Sequence, residues 1–409
     1  MRSYLTRARL LAGVLLLAFL GQGAWLVHRE VGGEALEAEE ATRIGEGWKQ
    51  WHGRGLAGAP FGDLASAAVA NLYGSHEWGD ESGFEREHSP FLYLVSAAPL
   101  LPWPSDFDSA SSRYWRWLPR LPFLACGLFL GASLWYVARR LCGTPGGVIA
   151  LTLYCFSPLL IQTSAGWHVE PQIFPAWGAF GTVFTAIAVA HTLYAPREVI
   201  VWNWRRTVLL GISLAIAIAA QFSMIVVVPI ALAFLLYVAP VRRGAATVIW
   251  IAGCLIGFVL LFGMYFFHPH GFLQAMKHAE FWGATWRGFT VPGVYKQVGV
   301  QLGRACPALA LALPFALVTY ALWPRTRYFG NTAPLLVAVI FLLLGMMHTD
   351  RSGAGFLIAA VPFLFLFVSG VLADCLETEY RSLVMACVAG LLGAYVLWSV
   401  VALVNVPKG

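Results

Sequence analysis

Residues 89–104 read SPFLYLVSAAPLLPWP, and the topology of the chain turns on whether this stretch crosses a membrane. Its apolar part, Phe91 to Leu101, is about a dozen residues long, and Pro90, Pro99, Pro102 and Pro104 bracket it. A spanning helix needs roughly 20 apolar residues, so length predicts an interfacial or re-entrant helix. Charge gives an independent test. If the stretch does not span, the N-terminal arginines, Arg139/Arg140, Arg197/Arg205/Arg206, Arg242/Arg243, Arg325/Arg327 and Arg381 fall on one side. If it spans, every cluster after the N-terminus moves to the other side. Cytoplasmic loops carry the excess of Lys and Arg, and the non-spanning reading follows.

The surrounding composition fixes the class. Apolar residues make up 59% of 409 and charged residues 12%, with mean hydropathy +0.68. A soluble chain of this length needs far more charge to cover its surface. The net charge of +6 does not indicate nucleic acid, because the basic residues sit in short inter-helix loops. The first apolar run, Leu10 to Val27, follows Arg2, Arg7 and Arg9 and lacks a small-residue cleavage site, which predicts an uncleaved anchor. The seven cysteines lie in or beside apolar segments without CxxC or Cys/His ligand spacing, so neither disulfides nor a zinc–thiolate site is expected.

Working outward, apolar spans fall at 9–27, 118–138, 146–165, 170–194, 207–221, 223–240, 246–267, 304–323, 331–347, 354–374 and 382–404. The expected fold is an all-α polytopic membrane protein with about eleven transmembrane helices and exoplasmic juxtamembrane helices. It forms a single membrane domain over 1–409, with a first exoplasmic loop over 28–117 and a second over 268–303. The N-terminus is cytoplasmic in this reading, and the membrane is the bacterial inner one. Residues 28–87 hold twelve acids against five basic residues. Most of these acids read as a solvated loop.

Four outer features stand out from that background. Glu39-Glu40 follows the first span, and Ala41, Ile44 and Trp48 recur at helical spacing, predicting an amphipathic surface helix. Neighbouring helical side chains diverge by about 100°, so one carboxylate acts as a base while the other orients the loop. Glu87-His88-Ser89-Pro90 sets an acid and an imidazole where a polar loop enters the interface. Glu170-Pro171 puts a carboxylate at a span's outer end, which is costly unless it is used or paired. His348-Thr-Asp-Arg351 carries an outer arginine against the positive-inside bias, and Arg120 opens the second span in the same position. Their planar forks suit a lipid-linked phosphate. In the second loop, His268-x-His270 and His278-x-Glu280 are possible metal pairs, lying among Phe281, Trp282, Trp286 and Phe289, which suit a membrane interface or a sugar ring.

The ordered set resembles the GT-C glycosyltransferases that use polyprenyl-phosphate sugars, a branch that includes protein O-mannosyltransferases and the lipid A aminoarabinose transferase. The likeness runs from the first span to about Leu372. Glu39-Glu40-Ala41 stands where that family has an Asp-Glu pair, and His88-Ser89-Pro90-Phe91-Leu92-Tyr93 matches its His-Pro-Pro-Leu-Tyr-Tyr-like landmark. Arg120-Leu121-Pro122 and Ala138-Arg139-Arg140-Leu141 follow, then Ser157 to Leu160, Glu170-Pro171, the broken helix at Gln221-Phe222-Ser223, and Arg351 ahead of Pro362.

The resemblance implies transfer of a monosaccharide from an isoprenoid-phosphate donor at the exoplasmic face. Glu39 inherits the general-base role, with Glu40, His88 and Glu170 as further catalytic candidates and Arg120, Arg351 and His348 holding the lipid phosphate. The transfer is metal-independent or metal-assisted, and in the second case Glu87, with His268 or His270, is the ligand set. Glu39 replaces the family's Asp, and Gln221 replaces its Lys. These two departures keep a catalytically inactive relative, a structural subunit of a larger membrane complex, as the alternative. A transporter is the other, although neither inverted repeats nor mid-bilayer charges stand out.

Overall fold

Backbone amides in lipid must be hydrogen-bonded within the protein, and a long apolar run satisfies them by becoming helix. The structure, a computed structural model, describes residues 2–31, 38–51, 87–102, 117–165, 172–193, 204–348 and 351–405. Among these residues there are helices and turns and no strand. In chain order the helices are α1 (Arg2–Val31), α2 (Ala38–Trp51), α3 (Phe91–Ala97), α4 (Leu121–Cys155), α5 (Pro158–Ala165), α6 (Ile173–Thr192), α7 (Trp204–Ala220) and α8 (Val227–Val238). After them come α9 (Arg243–Gly263), α10 (Pro269–His278), α11 (Pro292–Ala305), α12 (Ala308–Leu322), α13 (Phe329–Met347), α14 (Arg351–Cys375) and α15 (Arg381–Val404).

Each of the eleven expected spans contains helix, but the expected number is not reproduced by length and composition. Seven helices among the described residues are long and apolar enough to cross, or eight if α11 and α12 count as one span bent by 106°. The difference lies in how the breaks join or shorten the helices. α4 joins two expected spans through non-helical backbone at Cys142 and Gly143, where Gly143 takes φ 72°. α7 and α8, 17 and 12 residues long, fall on either side of an extended Gln221. The expected span 304–323 is interrupted at Cys306–Pro307, since the residue before a proline is pushed out of the helical region.

Two compact units emerge, interleaved in sequence. The first comprises Met1–Gly33, Phe123–Ala176 and Ala284–Gly409, and the second Glu34–Pro122 and Trp177–Gly283. The first unit is built around α14. Phe363, Phe365, Leu366, Phe367 and Val368 are all fully buried, as expected of a helix apolar on every side. Its helix ends inside the apolar layer are closed by side chains. Gln22 Nε2 donates to the Cys155 carbonyl at 3.1 Å, Tyr395 to Leu153 at 3.0 Å, and Ser157 Oγ to Ala305 at 2.5 Å. These carbonyls belong to the last turns of α4 and α11, which have no intrahelical donors of their own.

In the second unit, α7 and α9 approach through glycines. A Cβ on Gly211 would fall 2.6 Å from Ile256 Cβ, and Gly253 and Gly257 stand one turn apart on the facing helix. Small residues are what allow helices to pack closely where lipid supplies no hydrophobic drive between them.

Direction is legible within each unit. Arg7 and Arg381 line one cavity, whereas Arg29 Nη1 donates to Val404 O at 2.8 Å, so α1 and α15 run parallel. Parallel first and last spans require an odd number of crossings. Both seven and eleven meet that condition. α3 with its 3-10 extension to Leu100 covers ten residues, about 15 Å of helix against a hydrocarbon layer of about 30 Å. In a chain whose seven cysteines are replaced, new cysteines at Ser3 and Arg381 should react with an impermeant maleimide from one membrane face. A cysteine at Asn405 should react from the other; labelling of all three from one face would refute the parallel arrangement.

Candidate active site

The expected stripe on α2 is the face that packs. Ile44 is buried with Leu100, and Trp48 and Leu118 close around the pair. Gly47 lies flat against the Tyr93 carbonyl, and the Trp51 indole donates to Leu94 O at 2.8 Å. Ile44 therefore meets Leu100 while Trp51 meets Leu94, and α2 runs antiparallel to α3. The Glu39–Glu40 end of α2 extends toward Leu100 and Leu118, about one helical turn beyond Ile44. Arg120 closes the short 3-10 turn Leu118–Arg120 there and is itself buried, 4% exposed. His88 packs its ring against Tyr93 with centroids 5.4 Å apart. The carboxylates of Glu39 and Glu40 lie outside the described residues.

Two sequence landmarks become one structure. Ser89 N and Oγ both donate to Ala219 O at 2.9 Å, and Phe222 N donates to Glu87 O at 2.8 Å. The Glu87–Ser89 strap thus pairs with the broken helix, on backbone groups that the break at Gln221 releases. Gln221 sits at φ −157°, ψ 112°, and its Nε2 donates to Ser223 Oγ at 2.7 Å. Phe281 packs on Phe222 with ring centroids 5.4 Å apart, so part of the second loop leans on the same break. The strap lies at the C-terminal end of α7, whose N-terminal end carries Arg205 and Arg206. Within this unit, then, the candidate polar residues stand opposite those arginines.

The proposed ligand set is not gathered. Phe266 and Phe267 adopt φ of 51° and 58°, a left-handed turn that costs of order 1–3 kcal/mol for such side chains. That turn buries His268, whose Nδ1 lies 3.0 Å from Phe266 O, and leaves His270 exposed. Among the described residues no three His, Cys, Asp or Glu groups are placed to share a metal ion. Glu87, His268 and His270 do not fit a metal centre, because the turn that caps α10 sends the two imidazoles to different environments. His278 contacts Gln274 O through Nδ1 at 2.9 Å, and its partner Glu280 is exposed. Tyr265 is buried and packs on Phe272 with ring centroids 5.4 Å apart.

In the first unit, His348 and Arg351 flank the α13–α14 turn. His348 is 3% exposed, its Nδ1 is 2.8 Å from Leu344 O, and its ring packs on Phe356. Its Nε2 has no hydrogen-bond partner among the described residues. Gly353 lies against the His348 carbonyl so closely that a Cβ would collide with backbone. The opposite end of this hairpin carries Asn331 and Asp374, joined at 2.9 Å, beside Arg325 and Arg327. Here too the candidate residues stand opposite the arginines. The Arg351 side chain and all of Glu170 lie outside the described residues.

Three residues had no role in the sequence reading. Ser89 lay inside a quoted motif yet anchors the strap. Gly47 and Gln50 share α2's apolar face with Ile44 and Trp51, a periodicity that was available to find them. Gln50 is 1% exposed, and neither atom of its amide has a hydrogen-bond partner among the described residues.

No protein-family model matches the chain, and no curated protein sequence matches it. Solved structures do match. The archaeal oligosaccharyltransferase AglB from Archaeoglobus fulgidus, in complex with an inhibitory peptide and a dolichol-phosphate, superposes with TM-score 0.59 at 12% identity, over 97% of this chain and 55% of that one. ArnT from Cupriavidus metallidurans bound to undecaprenyl phosphate gives TM-score 0.55 at 14% identity, over 97% of this chain and 69% of that one. Its apo structure gives TM-score 0.55 at 15% identity. The chain thus spans about half the length of AglB and two thirds that of ArnT.

Gly47→Leu should part α2 from α3 and lower the melting temperature, since overpacking costs about 1–3 kcal/mol. Gly353→Leu should do the same for the α13–α14 turn. Unchanged melting in both variants would show that these approaches are looser than described.

Proposed function

From the GT-C fold that this chain adopts, we propose a membrane glycosyltransferase that moves a monosaccharide from a polyprenyl-phosphate donor to an acceptor hydroxyl at the exoplasmic face. The observation that carries the reading is the match over 97% of the chain to a protein solved with undecaprenyl phosphate. The placement of α2 directly after the first span supports it, because that helix bears Glu39 and Glu40. In this reading the membrane is the bacterial inner membrane, with the arginine clusters on its cytoplasmic side.

The chemistry assigned to the residues is as follows. The acceptor O–H gives its proton to the Glu39 carboxylate as its oxygen bonds to the anomeric carbon. The anomeric C–O bond to phosphate breaks on the opposite face, and the lipid phosphate leaves with the electron pair, inverting the anomeric centre. Arg120 and Arg351 meet the growing phosphate charge with planar donors, and His348 Nε2 is a further donor when protonated. Glu40 orients α2, His88 assists at the leaving group, and Glu170 is a further catalytic candidate. No step is routed through a metal ion.

One observation favours a second reading. Gln221 stands where a Lys is expected, and its amide is engaged with Ser223, as suits an inactive structural subunit.

Glu39→Gln should abolish transfer from a purified polyprenyl-phosphate sugar, by about 10²–10⁴-fold, at unchanged melting temperature. Wild-type activity in that variant would remove Glu39 as base. Arg351→Gln should weaken undecaprenyl phosphate binding and slow transfer by about 10²–10³-fold. Binding without any turnover in the wild-type chain would instead favour the inactive subunit.

A further inference from the structure

At the arginine-rich end of the first unit lies a cavity of about 1150 Å³, at the opposite end of α13 and α14 from His348 and Arg351. It is enclosed by the start of α1, the break in α4 at Cys142–Pro145, the end of α14 and the first half of α15. Gly143 makes the space, since its left-handed φ turns α4 back on itself. The lining is mixed. Arg7, Arg381, Asp374, Glu377 and Tyr328 contribute polar groups, and along α15 the lining runs from Arg381 to the apolar Val388 and Leu392.

The charges do not cancel. Glu377 is paired with Arg325, and Asp374 accepts from Asn331 Nδ2 at 2.9 Å and faces the Tyr328 hydroxyl at 3.5 Å. Burial first, then Cys142 and Asp374, pushes the Tyr328 phenol up, so it remains a neutral donor. The Arg7 and Arg381 guanidiniums make no hydrogen bond or ion pair among the described residues. Two guanidiniums against one free-standing carboxylate leave a single net positive charge. Leu392 lies 11 residues beyond Arg381, about 16 Å deeper along α15. Leu383, Met385 and Leu397 on the same helix are exposed, so this wall also borders the bilayer.

We propose that this cavity binds one phospholipid whose head group is a monoanionic phosphate diester, with the phosphate between Arg7 and Arg381 and an acyl chain running past Val388 to Leu392. A lone membrane-edge arginine simply snorkels to bulk lipid. Here two arginines from the first and last spans converge over one apolar pocket, which selects a bound lipid. Hydroxyl donors on a glycerol head group suit Asp374, whose carboxylate retains unused acceptor sites. A quaternary ammonium neither neutralises the excess charge nor donates to it. Because the site lies at the other end of the unit, it does not depend on the glycosyltransferase reading.

The full chain in detergent is titrated with dioleoyl phosphatidylglycerol, dioleoyl phosphatidylcholine or inorganic phosphate, and bound lipid is counted by native mass spectrometry. One phosphatidylglycerol should be retained, with at least tenfold weaker retention of phosphatidylcholine. The same tenfold loss should follow Arg7→Gln with Arg381→Gln, and also Val388→Trp, which fills the apolar part and keeps both arginines. In the unaltered chain, phosphatidylglycerol should slow alkylation of Cys142, a lining residue, by at least threefold. Equal retention of both lipids, or protection of Cys142 by inorganic phosphate alone, would overturn the lipid assignment. Unprotected Cys142 in the lipid-saturated chain would overturn it without recourse to any variant.

Discussion

The rest of this structure depends on how a helix is allowed to stop inside an apolar layer. Every interruption frees carbonyls and amides that lipid does not satisfy, at several kcal/mol each. This chain stops helices repeatedly, and at several of the described stops it supplies a side-chain partner. Gln22 and Tyr395 take carbonyls at the end of α4, Ser157 takes the last carbonyl of α11, and Ser89 takes Ala219 O at the end of α7. Each donor comes from a segment remote in sequence. The breaks therefore do not form independently of the tertiary fold, and they fix which segments meet.

The strap at Glu87–Ser89 shows what such a break is for. An unbroken helix through Gln221 would bind its own amides and offer nothing to a neighbouring segment. With Gln221 extended, Ala219 O and Phe222 N face outward and recruit the strap, which carries His88 and leads into α3. α3 in turn is the platform on which Gly47 and Trp51 seat α2. The position of the Glu39–Glu40 helix thus follows, through three packed elements, from one break in α7. A conservative change far from the carboxylates, at Ser89 or Gly47, acts on the same geometry.

Much of this was legible in the chain. Hydropathy placed helices in all eleven stretches, and the proline-bracketed run at Phe91–Leu101 forms only a ten-residue helix. Charge placed the arginines of each unit at one end, where Arg7, Arg381, Arg325 and Asp374 meet in the first and Arg205 and Arg206 begin α7 in the second. The Gln221 break was legible too, as one polar residue between two apolar runs. The crossing count and the metal pair were not. Hydropathy sums residues without regard to φ and ψ, so it does not register the bend at Pro307. Likewise His-x-His spacing assumes a regular backbone, and the left-handed Phe266–Phe267 pair just before it separates the imidazoles.

Gln50 and His348 extend the argument from backbone to side chains. Both are buried polar groups with an atom that finds no partner among the described residues. An unmet buried donor or acceptor costs about 1–3 kcal/mol. Gln50 shares a helix with the assigned base, and His348 shares a turn with the assigned phosphate ligand Arg351. Each of these two residues thus brings unspent hydrogen-bonding capacity to an element that carries an assigned residue. Polar groups left unmet in the free protein are groups whose binding to substrate need not first break a protein hydrogen bond.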